Sequence, residues 1–193
     1  MGFEQWTGIF ILFAMLTLIS STNRPNSRTE KVSRYIVQRL KSLTDEAVHF
    51  FDLAHLPYSI LHADMYDKNG QSREIQTLQD RYFKTADRFI FVIPEYNGGV
   101  PGILKLWIDA MSVRKYDETF RNKKACLIGI SSGRAGNLRG LEHFTGILNY
   151  LNIVVFPDKL PISSIQHVLK DDKVLDEETT EAVDDLLKRF LEF

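Results

Sequence analysis

Residues 88–112 read RFIFVIPEYNGGVPGILKLWIDAMS. The apolar run 89–93 is too short for a helix and rich in aromatic and β-branched residues, so it reads as a strand buried on both faces. It runs into a loop bracketed by Pro94 and Pro101, with the pair Gly98 and Gly99 between them. Ile103, Leu106, Trp107 and Ala110 then recur at intervals of three and four, as one face of an amphipathic helix requires. The stretch is thus one βα unit.

Working outward, four more apolar runs, at 15–19, 48–53, 125–130 and 153–156, have the same character. Helical patterns separate them. Ser27 suits an N-cap, with Glu30 at capping-box spacing and Val32, Ile36, Val37 and Leu40 sharing a face behind it. Leu138, Leu141 and Leu148 repeat less cleanly. Val183, Leu186, Leu187, Phe190 and Leu191 form a stripe behind Asp176, Glu177 and Glu178, whose charges suit the positive end of a helix dipole. All these apolar positions are assigned to the core. Strands alternating with helices imply right-handed βαβ crossovers and a parallel sheet covered on both faces. Five strands suit a doubly wound α/β domain of the flavodoxin-like order 2-1-3-4-5, with a ligand at the strand carboxyl ends, at the switch between strands 1 and 3.

Length and composition are consistent with this. The 193 residues suit one domain, and 44% hydrophobic with 25% charged content is ordinary for a globular chain. Residues 15–193 are expected to form the domain. The apolar stretch 8–19 is shorter than the ~20 residues of a membrane span. It also follows a leader whose only charge is Glu4, unlike a secretory signal, and Trp6 breaks the myristoylation pattern. We read 1–14 as a dispensable extension, with Met15 as a natural start, and expect a cytoplasmic protein without a membrane anchor. A net charge of −1 disfavours nucleic acid as a partner. The single cysteine, Cys126, lies in an apolar run and reads as a buried hydrophobe, and the five histidines have no zinc-ligand spacing, so no metal site is expected.

Three loops occupy the strand carboxyl ends. Residues 20–29, SSTNRPNSRT, combine hydroxyls from Ser21, Thr22, Ser27 and Thr29 with the charges of Arg24 and Arg28 and a helix start, which together suit a phosphate monoester. The same residue types also build ordinary turns and caps. No G-x-G-x-x-G or P-loop lysine is present, which disfavours dinucleotide and nucleotide-triphosphate cradles. Residues 94–102, PEYNGGVPG, make a stiff loop whose glycines let backbone approach a flat ligand, with Tyr96 as an aromatic face. Residues 131–141, SSGRAGNLRGL, form the third.

PEYNGGVPG followed by Lys105 and IDAMS resembles the signature of the NADPH-dependent FMN reductase family, which includes quinone, azo-dye and chromate reductases. The segments 20–29 and 131–141 are similar to that family's phosphate loop and third flavin loop. The resemblance covers roughly residues 15–160. It implies that Thr22, Arg24, Ser27 and Thr29, in one loop with Ser21, hold the phosphate of bound FMN. Pro94, Glu95, Tyr96, Asn97 and Gly98 would line the isoalloxazine, and Ser132, Gly133 and Arg134 its pyrimidine end or ribityl chain. Ser21 stands where the family commonly has Gly, which bears on the loop backbone. Leu106 follows Lys105 where Asn is common, which bears on a subunit contact or a bond behind the site.

The resemblance further implies ping-pong chemistry, with NADPH as co-substrate and a small acceptor: a quinone, a flavin, an azo compound or a metal oxyanion. The flavin N5 carries the hydride, so no catalytic side chain is expected, and Glu95 is read as positioning. Arg134 and Arg28 are candidates for the 2′-phosphate of NADPH, and each suits the FMN phosphate or a surface carboxylate equally well. The competing readings are an FMN-binding electron carrier or regulatory module without NAD(P)H turnover, and a scaffold that has lost its flavin. A carrier usually presents an acidic docking face, which a near-neutral chain does not suggest. A homodimer or homotetramer is implied, with 114–124 (Tyr116, Phe120) and 57–72 (Tyr58, Tyr66) as interface or substrate-facing segments.

Overall fold

The computed structural model describes residues 15–67, 70–171 and 174–193. The extension proposed at 1–14 lies outside the described residues. Five strands, β1 (Met15–Ser20), β2 (Ala47–Asp52), β3 (Arg88–Pro94), β4 (Lys124–Ile130) and β5 (Val154–Ile162), form one parallel sheet in the order β2-β1-β3-β4-β5. This is the expected order, and the direction in which successive strands are added across the sheet reverses at the boundary between β1 and β3.

Side chains alternate along the strands and so feed two cores. Leu16, Leu18, Ile90, Val92 and Ile128 pack against α1 (Arg28–Leu43) and α6 (Glu177–Glu192) through Val32, Ile36, Val183, Leu187 and Phe190. Phe89, Phe91, Ile93 and Leu127 face α2 (Arg73–Gln79), α3 (Gly102–Ser112), α4 (Tyr116–Phe120) and α5 (Leu138–Tyr150). There Trp107 lies between Phe51 and Phe83, with ring centroids at 4.8 and 5.3 Å. Aromatic rings packed at this spacing contribute beyond their area alone.

Several expectations need correction. Leu138 is 48% exposed, not core, because it opens α5 and the helix turns its buried face to Leu141, Phe144 and Leu148. Phe120 is fully buried and so cannot face a partner or substrate, whereas Tyr58 and Tyr66 are exposed. The last strand runs well past 156, through Pro157 and Pro161. It is an edge strand, and its register slips opposite Cys126, so the prolines remove no obligatory ladder bond. Only half of the capping box forms. Ser27 Oγ accepts from Glu30 N at 3.0 Å, but the Glu30 carboxylate turns to Arg34 Nε at 2.9 Å.

The amino-terminal edge of the sheet is closed by polar side chains that serve the chain's own backbone. Lys123, 8% exposed, donates through Nζ to the carbonyls of Phe83 (2.7 Å), Lys84 (2.9 Å) and Ala86 (2.5 Å), and so closes the π-helical turn Asp80–Lys84. Burial pushes its pKa down to about 8, partly offset by the Asp87 charge. Gln79 donates to Met111 O, Arg114 O and Thr119 Oγ1, tying α2 to the end of α3 and to α4.

Candidate functional site

The three loops meet at the opposite, carboxyl edge. The first leaves β1 at Ser21, which is fully buried and spent on structure: its N–H donates to Val92 O at 3.0 Å and its hydroxyl to Ile19 O at 3.4 Å. From this anchor the chain passes Thr22 and Arg24, turns at Asn26 (φ 54°) and enters α1 through the Ser27 cap. Among the described residues Ser27 Oγ accepts from Glu30 N and donates to no acceptor, which leaves its hydroxyl proton available. The amides of the first helical turn likewise have no intrahelical acceptor.

The second loop is built on a hairpin-type turn that the Gly98–Gly99 pair had masked in the sequence. Tyr96 and Gly99 exchange both backbone hydrogen bonds at 3.0 Å, with Asn97 (φ 52°) and Gly98 (φ 77°) between them. Both central residues are left-handed, the conformation that Asn-Gly favours in a two-residue turn. Glu95 N donates to Ile130 O at 2.8 Å and extends the β3–β4 pairing to the loop. The tyrosine hydroxyl then reaches across: Thr22 Oγ1 and Tyr96 Oη lie 2.6 Å apart, joining the first loop to the second.

The third loop is stitched to the segment after β5. Ser131 N donates to Ile162 O, Ile165 N to Ser131 O and Ser164 N to Gly133 O, all within 3.1 Å. Gly136 (φ 56°) lies so close to Pro161 that a Cβ there would fall 2.6 Å from its carbonyl carbon. Asn137, also left-handed and 1% exposed, donates through Nδ2 to Ile93 O at 2.9 Å and fixes the start of α5 to the end of β3.

Together the loops enclose a cavity of about 440 Å³. Of the expected site residues, Arg24, Ser27, Thr29, Pro94, Glu95, Tyr96 and Ser132 line it. Thr22 stands behind Tyr96, Asn97 and Gly98 form the turn beyond it, and Gly133 and Arg134 continue past Ser132. Ser21 is buried and does not line the cavity. Pro25, Asn26, Arg28, Lys31, Ile130, Ser131 and Ile165 also line the cavity. Of these, Ile165 had no local signal, since the path of the chain after β5 brings it there.

The donor set has the chemistry of an anion cradle at one end and of a flat, bare backbone surface at the other. Arg24 and Arg28 form no ion pair among the described residues, and the exposed Arg134 forms none either. A phosphate monoester answers the first end, and a planar ring answers the second. The set therefore fits FMN. No thiol competes for a chemical role: Cys126 is wholly buried, and burial pushes its pKa far above the ordinary thiol range.

Known proteins point the same way. The model of the family described as NADPH-dependent FMN reductase matches residues 15–167. A 2-hydroxy-1,4-benzoquinone reductase from Burkholderia sp is 29% identical over 130 residues, 66% of this chain and 68% of that protein. An FMN-dependent NADPH-azoreductase of Staphylococcus aureus is 30% identical over 149 residues, 74% of this chain and 73% of the relative. Among solved structures, the flavoenzyme NAD(P)H:(acceptor) oxidoreductase of Paracoccus denitrificans superposes with a TM-score of 0.71 at 21% identity, covering 93% of this chain and 95% of that one, which supports the fold. With a family match spanning all five strands and the three loops between them, the chain belongs to the NADPH-dependent FMN reductase family.

Proposed function

We propose that the protein is an FMN-dependent NAD(P)H oxidoreductase that works by a ping-pong cycle on a small acceptor. The acceptor is a quinone, a flavin, an azo compound or a metal oxyanion. The observation that carries this reading is the pairing, across one cavity, of a loop bearing the unneutralised Arg24 and Arg28 with the Pro94–Tyr96 segment that leads into the Asn97–Gly98 turn. Bound FMN would supply the redox chemistry, receiving a hydride from NADPH and releasing two electrons to the acceptor.

The chain's own residues bind and orient. Arg24, Ser27 and Thr29 take the phosphate, with Ser21 holding their loop to β3 and Thr22 tying it to Tyr96. Pro94 to Gly98 present backbone and the Tyr96 ring to the isoalloxazine, while Ser132, Gly133 and Arg134 close the pyrimidine side. Glu95, held by its backbone bond to Ile130, positions the loop. The reading includes a homodimer or homotetramer acting in the cytoplasm. Its support is the apolar exposure of Tyr58 (102%), Leu61 (69%) and Tyr150 (84%), which an isolated subunit would leave in water.

The test is anaerobic mixing of the FMN-loaded protein with NADPH. Bound-flavin absorbance should bleach within seconds and return when a benzoquinone is added. Absorbance that persists would replace this reading with that of an electron carrier, which needs no nicotinamide turnover.

A further inference from the structure

Arg139 lies one residue into α5, beside the Asn97–Gly98 turn, and it does not line the 440 Å³ cavity that the phosphate loop lines. Its guanidinium stands over the turn: a Cβ on Gly98 would be 3.9 Å from Arg139 Nη1. Gly98 therefore offers the arginine bare backbone instead of a side chain. Arg139 is exposed and makes no ion pair or hydrogen bond among the described residues.

Its position is nonetheless firmly set. On one side Asn137 is buried and bonded to Ile93 O, one residue before the loop that begins at Pro94. On the other, Gly140 packs so tightly on the Asn137 amide that a Cβ would fall 2.2 Å from Oδ1. An arginine flanked by two such residues is carried on a rigid mount, so little backbone freedom is lost when it engages a ligand. FMN carries one phosphate, and the first loop already supplies two unpaired arginines for it. A cation beside the turn and outside that cavity suits a different anion. The other phosphorylated reactant of the proposed cycle is the pyridine dinucleotide, which has a diphosphate and, in NADPH, a 2′-phosphate.

We propose that Arg139 is the anion anchor for the nicotinamide donor, binding one of its phosphate groups beside the Asn97–Gly98 turn. The inference rests on the FMN reductase reading and deepens it. A guanidinium presents a fixed fork to phosphate oxygens, which an ammonium does not reproduce.

The experiment is steady-state kinetics of the FMN-loaded wild type, Arg139→Gln and Arg139→Lys, with NADPH and NADH as donors and one quinone held at saturation. In Arg139→Gln, KM for NADPH should rise about tenfold while kcat at saturating donor stays within about twofold, the signature of lost uniform binding. Arg139→Lys should recover part of the loss. The dependence of kcat/KM on salt should be flatter in the glutamine variant. A rise confined to NADPH would assign the arginine to the 2′-phosphate, and an equal rise with NADH would assign it to the diphosphate. Unchanged KM for both donors overturns the proposal, as does a loss of FMN affinity, which would place Arg139 in the flavin site instead. These outcomes are separable from failure of the broader reading, in which the wild type itself would bind no FMN or resist reduction by NADPH.

Discussion

The two edges of the sheet use polar side chains in opposite ways. At the amino-terminal edge, Lys123 serves three backbone carbonyls, Gln79 ties α2 to the end of α3 and to α4, and Arg114 grips Asp80 through two bonds of 2.8 and 3.0 Å. Donors there are matched within the chain. At the carboxyl edge, Arg24, Arg28, Arg134 and Arg139 are exposed and form no ion pair among the described residues. The loops that carry them are nevertheless bound to the frame by Ser21, Asn137 and the Thr22–Tyr96 contact. Backbone that is fixed while its charges are left unmatched is what a preorganised binding site requires, and a charge already neutralised by its own chain contributes to stability instead. The contrast therefore separates residues that hold the fold from residues that hold a ligand.

Substitutions at the two edges should split accordingly, and the largest effect falls at the closed edge. Lys123→Met deprives three carbonyls of their donor and should cost about 3 kcal/mol, lowering the melting temperature by roughly 6–12 °C in a chain of this size. FMN affinity of the folded variant, measured by fluorescence quenching at low temperature, should stay at the wild-type value. A fall in flavin affinity at Lys123 would break the comparison.

Next comes the double variant Arg24→Ala, Arg28→Ala. Loss of two charge-assisted contacts to one phosphate should weaken FMN binding on the order of 100-fold, with the melting temperature of the flavin-free protein unchanged. Calorimetry of both forms checks the pair of statements. A destabilised apoprotein would mean that these arginines serve the fold after all.

The smallest effect concerns Asp80. Its bond to Arg114, helped by Lys84, holds the carboxyl down to about 2. A carboxylate whose folded pKa lies below its unfolded one, near ~3.9, adds stability above that unfolded value and loses it as pH falls through the folded pKa. Asp80 is 43% exposed, so solvent screening leaves Asp80→Asn costing about 0.5 kcal/mol or less at neutral pH. The difference from wild type should shrink between about pH 4 and pH 2, as read by urea denaturation across that range. A difference that grows on acidification contradicts the assignment.

Much of this was legible in the sequence because burial on both faces writes a strand as an apolar run, and all five runs fell on strands. The Ser27 start of α1 was legible for a related reason, since capping depends on side chains a few residues apart, whereas Asp176 read only as a charge at the start of α6 and its cap bond to Thr179 N came from the structure. The edge strand was not legible in full. Nothing local says that Pro157 and Pro161 face no partner, because that depends on which strand ends the sheet. The exposure of Leu138 and the burial of Phe120 are likewise set by how helices rest on the sheet. Within the site, the Asn97–Gly98 turn signal overlaps the Gly98–Gly99 pair, which obscures it in the sequence. The tether from Asn137 to Ile93 spans 44 residues and is a tertiary bond with no local signature.

The most direct test of the central claim is a calorimetric titration of the purified flavin-free chain with FMN, paired with thermal melts of the same samples. The account predicts one FMN per chain and, at a hundredfold excess over Kd, a stabilisation of about 2.7 kcal/mol that raises the melting temperature by several degrees. No heat of binding and an unmoved melting temperature at saturating FMN would contradict it.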